Sequence, residues 1–272
     1  MNFSMRKSRV LRQLRAGEVV NCFKTNLADA RVTEIAARYG FDCVWTDTEH
    51  VPNDWSVIES QVFASKSYDV DLLCRCARGP YSNYIRPLEM DATGIMVPHV
   101  MGLRDAEDIV RMTRFHPVGL RAVDGGNADS AYCNIPLDEY LEQANKERFI
   151  ILQIEDPEPL EELEAIAELD GYDLILFGAA DFSHSIGAPG QMDHPMVVEA
   201  RKRIAQVANK YGKFAGAVGG PGNRQELIDM GYTFISMGAD VVGLSQYCRD
   251  IAQACGIETS NDPVEQYRKS GK

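Results

Sequence analysis

No stretch of this chain approaches the roughly 20 consecutive apolar residues that a membrane-crossing helix needs. Near the start, Arg6, Lys7, Arg9, Arg12 and Arg15 are followed by no apolar run, so a secretory leader is not expected. Cysteine is sparse and unpaired in pattern: Cys22, Cys43, Cys74, Cys76, Cys133, Cys248 and Cys255 make an odd seven, with no C-x-x-C among them. This argues against a disulfide framework or a zinc site and suits reduced thiols. Basic charge is also short, 28 lysines and arginines against 40 acidic residues, for a net charge of −12. Such a chain repels nucleic acid and anionic membranes over most of its surface, leaving room only for a local cationic pocket. No basic patch interleaved with aromatics, internal repeat or low-complexity segment is present. The expectation is a soluble cytoplasmic protein with neither nucleic-acid nor membrane partners.

What the 272 residues do contain is a succession of short apolar runs alternating with amphipathic stretches. Strands are expected at 19–23, 43–47, 72–76, 94–98, 149–154, 174–177, 214–218 and 234–237. Helical spacing is clearest over 31–39, 55–65, 103–113 and 157–170, the last carrying Leu160, Leu163, Ile166 and Leu169 on one face. Eight strands with helices between them point to an α/β fold, one closed (β/α)₈ TIM barrel over residues 1–257, followed by a tail at 258–272. The stretch 114–146 interrupts the rhythm and reads as a long functional or oligomerisation loop. Within it, 120–123 would make a ninth strand.

Glu155 and Asp181 are the most informative residues, because each directly follows an apolar run and the two runs are consecutive. In a parallel barrel both acids then face one mouth, where chemistry is done. Two hard oxygen ligands suit Mg²⁺ or Mn²⁺ better than zinc. Either acid also serves equally well as an N-terminal helix carboxylate. Asp47, Glu49 and His50 follow the second strand, Arg75 lies within the third, and Gln153 within the fifth. A guanidinium in an apolar run must face a protein acid or an anionic ligand, since an unpaired buried charge is costly. His99, His116, His184 and His194 show no ligand spacing and read as loop or cap residues. The glycine-rich turns at 216–222 and 237–240 lie where many barrels bind phosphate, but neither contains a basic residue. Lys24 is the one lysine at a strand end, and no apolar setting is evident to depress its pKa, so imine chemistry is not expected.

These residues resemble a known family. The run 46–54, with Asp47, Glu49, His50, Pro52, Asn53 and Asp54, is similar to the D-x-E-H-(A/G)-P-N-(N/D) signature of the HpcH/HpaI metal-dependent (class II) pyruvate aldolases. These act on substrates such as 2,4-dihydroxyhept-2-enedioate and 2-dehydro-3-deoxyglucarate. Gln153-Ile154-Glu155 resembles their Q-I-E, and Gly178-Ala179-Ala180-Asp181 their G-P-(S/A)-D. Residues 113–121 resemble T-R-Y-P-P-x-G-x-R, and 96–98 and 238–240 fit as well. The likeness runs from about residue 8 to 255.

The resemblance implies a (β/α)₈ barrel whose C-terminal helix is often exchanged between protomers, assembled as a homohexamer, a trimer of dimers. It implies a divalent cation (Mg²⁺, Mn²⁺ or Co²⁺) on Glu155 and Asp181, acting as Lewis acid on a 2-oxo acid. Arg75 would share the enolate charge, Gln153 would orient the 2-oxo acid, and His50 would move the proton of the aldol hydroxyl. Glu89, fourteen residues after Arg75, matches the position of an aspartate that supports that histidine. Gly178, Ala179 and Ala180 would bind the donor carboxylate through backbone N–H groups, Ala179 and Ala180 having replaced the family's proline and serine. Val218 would belong to the pocket's reshaped apolar wall. The implied partners are a small 2-oxo acid and an aldehyde, joined or cleaved through a pyruvate enolate, with oxaloacetate decarboxylation alongside. Two other readings stand beside it: a related carbon–carbon lyase or synthase offering that enolate to another electrophile, and a non-catalytic 2-oxo acid-binding protein on the same fold.

Overall fold

In a computed structural model, which describes residues 3–257, eight parallel strands close into a barrel in sequence order. The chain runs α1 (Arg9–Arg15), β1 (Val20–Lys24), α2 (Ala30–Arg38), β2 (Cys43–Asp47), α3 (Trp55–Lys66), β3 (Asp71–Arg75) and α4 (Ser82–Glu89). It continues with β4 (Gly94–Val97), α5 (Leu103–Thr113), α6 (Leu137–Glu147), β5 (Phe149–Ile154), α7 (Leu163–Glu168) and β6 (Leu174–Phe177). It ends with α8 (Ala179–Ser185), α9 (Pro195–Lys210), β7 (Phe214–Gly219), α10 (Arg224–Asp229), β8 (Tyr232–Ala239) and α11 (Asp240–Ala254). The expected tail at 258–272 lies outside the described residues. No helix among the described residues is long and apolar enough to cross a membrane.

The strands read as continuous apolar runs because a parallel barrel buries both of their faces. One set of side chains fills the barrel: Trp45, Leu73, Met96, Phe149, Leu176 and Phe234 are all buried there. Val10, Leu11 and Leu14 of α1 join that cluster, so α1 plugs the end of the barrel away from the strands' carboxyl termini. Asp71, at the start of β3, anchors the plug: its Oδ2 accepts from the Ser8 hydroxyl at 2.6 Å and the Val10 N–H at 2.9 Å. The opposite set packs outward, where Ile95, Ile150, Leu152 and Ile175 meet Ile109, Ile166 and Ile204 of the surrounding helices.

Two readings of the connection at 114–146 need correction. It is not a plain loop, since α6 occupies 137–147; that helix buries only Tyr140 and Ala144, too narrow an apolar stripe to stand out. Nor does 120–123 form a ninth strand. Leu120 and Arg121 turn back to bond the carbonyls of Arg111 and Arg114, and Leu120 and Val123 are exposed. Buried Arg121 instead pairs with Asp129 at 3.1 Å. The barrel closes without this segment because β4 pairs directly with β5, Ile95 opposite Ile150.

Candidate active site

Parallel pairing places the last residues of β1, β2 and β3 side by side, with Lys24 beside Trp45 and Asp47 beside Arg75. Asp47 is fully buried, and its carboxylate is crowded with donors. Its Oδ1 accepts from the backbone N–H groups of Glu49 at 2.9 Å and His50 at 3.3 Å, and from Arg75 Nε at 3.2 Å. Its Oδ2 accepts from Arg75 Nη2 and from Lys24 Nζ at 2.6 Å. Burial works against ionised Asp47, yet the Arg75 and Lys24 charges hold its pKa down at about 2. The open question about Arg75 therefore has a definite answer: it faces protein carboxylates, Asp47 and also Glu49, whose Oε2 lies 3.1 Å from Nε. Its Nη1 makes no hydrogen bond to a described residue, and the side chain lines a cavity.

Lys24 differs from its sequence reading. Burial lowers its pKa, opposed by the bond to Asp47, and the ammonium sits 4.5 Å from the centroid of the Trp45 ring. The setting that the sequence did not reveal is supplied by β2, not by residues near Lys24 in the chain. The lysine nonetheless spends its charge on Asp47, which still disfavours imine chemistry.

Across the mouth, β5 delivers Gln153 and Glu155, both almost wholly buried. Gln153 Nε2 donates to Glu155 Oε2, while Gln153 Oε1 is buried with no partner among the described residues. Gly178 follows β6, and a Cβ there would collide with the Glu155 carboxylate, so this position needs glycine. Asp181 lies in the first turn of α8. Burial pushes the Glu155 pKa up to about 7, helped by the nearby Asp181 and Glu49 charges and opposed by His99. Carboxylates repelling one another without a compensating cation are what a divalent metal would relieve. With only oxygen donors from Glu155 and Asp181, and Gln153 Oε1 unused beside them, the residues fit a hard divalent cation.

Gln153, Gly178, Ala179, Ala180, Asp181 and Val218 line one cavity of about 580 Å³ together with Arg75. His50 stands outside that lining, exposed, with Nε2 3.5 Å from Glu49 Oε2. Glu89 is not brought to His50. It lies at the end of α4, and its side chain forms no hydrogen bond or ion pair with a described residue. Burial raises its pKa, with Arg121 and Asp129 among its charged neighbours, so it belongs to the segment around 121–129.

His99 is the residue that sequence reasoning missed. It follows β4 in a left-handed backbone conformation, φ 48°. Its N–H donates to Glu155 Oε1 at 2.9 Å, and its Nδ1 lies 2.8 Å from Asp156 Oδ2. Burial disfavours its protonated form, but Asp156, Glu155 and Glu49 raise its pKa overall. The signal was available: His99 sits at a strand's carboxyl end, the same criterion that singled out Glu155. His194 does cap a helix, accepting from the Met196 N–H at the start of α9.

A family model, HpcH/HpaI aldolase/citrate lyase, matches residues 22–246. The chain belongs to that family. As a member it is an aldolase, a carbon–carbon lyase. It is 31% identical over 246 residues to a hydroxypyruvate/pyruvate aldolase of Pseudomonas aeruginosa, covering 90% of this chain and 91% of that one. It is 33% identical over 236 residues to a pyruvate aldolase of Rhizobium etli, covering 86% and 92%. Among solved structures, an HpcH/HpaI aldolase from Desulfitobacterium hafniense superposes with a TM-score of 0.85 at 25% identity, covering 93% and 98%.

The Glu155 pKa generates a prediction about the metal-free aldolase. In the unfolded chain this carboxyl titrates near ~4.3, below its folded value, so ionising it costs folding stability. The cost is absent well below that pH, grows as pH rises toward about 7, and is fully present above. Glu155→Gln should therefore melt higher than wild type at pH 8 without metal, and the gap should close toward pH 5. Saturating Mg²⁺ should raise the wild-type melting temperature and leave the variant's where it was. Identical metal-free melting at pH 8 would contradict this account of the carboxylate.

Proposed function

We propose that this aldolase acts on pyruvate and an aldehyde, joining them to a 4-hydroxy-2-oxo acid or cleaving that product, with Glu155 and Asp181 as ligands of a divalent cation. The observation that carries the reading is the buried, crowded Glu155 carboxylate, bonded to Gln153, which lines one cavity with Arg75 and Asp181. Two of the relatives bear names specifying pyruvate as substrate, which supports the same donor here. The cation, when bound, would supply Lewis-acid polarisation of the 2-oxo acid and so acidify its methyl group.

The protein's own groups do the rest. Arg75, held flat by Asp47, keeps Nη1 for the enolate oxygen as negative charge gathers there. Gln153 orients the 2-oxo acid through the second N–H of Nε2, the first being given to Glu155. The backbone N–H groups of Ala179 and Ala180 receive the donor carboxylate, that of Gly178 being spent on the Ile154 carbonyl. Val218 forms part of the apolar wall. His50, exposed at the rim and tethered through its N–H to Asp47, moves the proton of the aldol hydroxyl. It does so without Glu89 of its own chain.

His50→Ala should consequently lose aldol cleavage by roughly 10²–10⁴-fold. It should retain oxaloacetate decarboxylation, which passes through the same enolate but needs no alkoxide proton transfer. Equal losses in both assays would place the histidine on the enolate or the metal instead.

We infer further that the chain works as a homo-oligomer, with the hexamer implied by the family resemblance as the expected form. Helix α11 has no buried residue, and its Val242, Leu244 and Tyr247 are exposed. Beside it lies an apolar groove of about 550 Å³, lined in part by Leu27, Val32, Ile35 and Tyr39 of the α2 region. Both surfaces belong to this chain and match in character, which favours a second copy as the cover. Sedimentation velocity at micromolar concentration should show a multimer for wild type and a smaller species for Leu244→Asp/Ile251→Asp. A monomeric wild type would overturn this inference.

A further inference from the structure

His99 has no part in the chemistry above, yet it is restrained at every point. Its backbone lies in the left-handed region at φ 48°, a conformation that is costly for a residue with a side chain and persists only where the surroundings impose it. The ring Nδ1 lies 2.8 Å from Asp156 Oδ2, and Asp156 Oδ1 in turn accepts from the Ser185 hydroxyl at 3.1 Å. Ser185 closes α8, the helix whose first turn carries Asp181. Packing does not account for this restraint, because the His99 side chain is 40% exposed.

A carboxylate on one ring nitrogen, itself anchored by a further donor, is the arrangement that orients an imidazole toward a metal ion. It keeps the hydrogen on Nδ1 and leaves the lone pair on Nε2. That Nε2 faces acids: Glu155 Oε1 lies at 3.8 Å and Glu49 Oε1 at 3.9 Å. Two donors sharing one cation at about 2.1 Å each stand roughly 3.0 Å apart at a right angle and roughly 4.2 Å apart in line. The separations at His99 fall inside that range. Gln153, bonded to the same Glu155 carboxylate, keeps a buried Oε1 with no partner among the described residues. No three carboxylate, thiol or imidazole groups among the described residues already close on one point. Repulsion between the carboxylates opposes that closure, and a cation would remove it.

We propose that His99 Nε2 is a third protein ligand of the divalent cation assigned to Glu155 and Asp181, with Asp156 as its orienting partner. The site then offers one nitrogen among oxygens. It discriminates in favour of Mn²⁺ and Co²⁺, which accept imidazole, over Mg²⁺, which prefers oxygen. Mg²⁺ still binds, through the carboxylates. The inference rests on the cation reading of Glu155 and Asp181, and the experiment separates the two. A histidine serving only as an internal counter-charge to these acids would behave in the opposite way, since a positive group there competes with a metal.

The test uses the full-length protein, stripped of metal and reloaded, with ¹⁵N introduced only in histidine. Pulsed EPR of bound Mn²⁺ then registers an imidazole bonded directly to the metal. Wild type should show that nitrogen coupling, and so should His50→Asn. His99→Asn should not, asparagine being chosen because it tolerates the left-handed backbone. Calorimetric titration with Co²⁺ and with Mg²⁺ runs in parallel. His99→Asn should weaken Co²⁺ binding at least about tenfold and Mg²⁺ binding far less, and Asp156→Asn should lower the ratio of the two affinities in the same direction. No direct coupling in wild type, or Co²⁺ binding unchanged or tightened in His99→Asn, would overturn His99 as a ligand. Loss of Co²⁺ binding in Asp181→Asn would, in that event, leave the cation reading standing. Undiminished Co²⁺ affinity in Asp181→Asn would contradict that reading and this inference with it.

Discussion

The mouth of this barrel is organised around one buried carboxylate. Asp47 simultaneously receives the guanidinium of Arg75, the ammonium of Lys24 and two backbone N–H groups from the turn that carries Glu49 and His50. Three strands and one loop thus meet at a single side chain with no exposed surface. Charge-assisted bonds of this kind are worth most where water is excluded, and losing the acid would leave two cations uncompensated. The cost of burying Asp47 fixes the plane of Arg75 in advance of any substrate, which is what stabilising charge in a transition state requires.

The opposite wall has the reverse electrostatics. Glu155 lies close to Asp181 and Glu49, with only His99 and Gln153 to offset it, and its ionised form is disfavoured. One side of the mouth is therefore satisfied within the protein, and the other gathers repelling carboxylates that a cation would relieve. Gly178 matters for the same reason, since any side chain there would collide with the Glu155 carboxylate and displace it. In the proposed reading the two walls divide the labour: a rigid cationic side that would receive negative charge, and a crowded anionic side that would hold the metal.

Much of this was legible in the sequence. Strands buried on both faces appear as unbroken apolar runs, and β2, β5 and β6 run as expected at 43–47, 149–154 and 174–177. Glu155 and Asp181 stood out because a charge ending such a run is unusual, and Arg75 because it lies inside one. What escaped was whatever depended on non-local neighbours. The apolar setting of Lys24 comes from Trp45 on the adjacent strand, and Arg201, which lines the same cavity as Lys24, comes from α9. His99 was dismissed for lack of ligand spacing, although its contacts arise from its backbone N–H and from Asp156, just beyond β5. Glu89 was placed beside His50 by counting from Arg75, but α4 sets it among Arg121 and Asp129. Helix α6 was hidden because two buried residues, Tyr140 and Ala144, are too few to register as periodicity.

The central claim is that Glu155 and Asp181 bind the cation that lets this site enolise a 2-oxo acid. It is tested most directly by following deuterium exchange into the pyruvate methyl group by NMR, with no aldehyde present. The account predicts saturable, Mg²⁺-dependent exchange in the wild-type protein, abolished by chelation and reduced to the buffer rate in Asp181→Asn. Exchange that persists undiminished after chelation, or in Asp181→Asn, would contradict it.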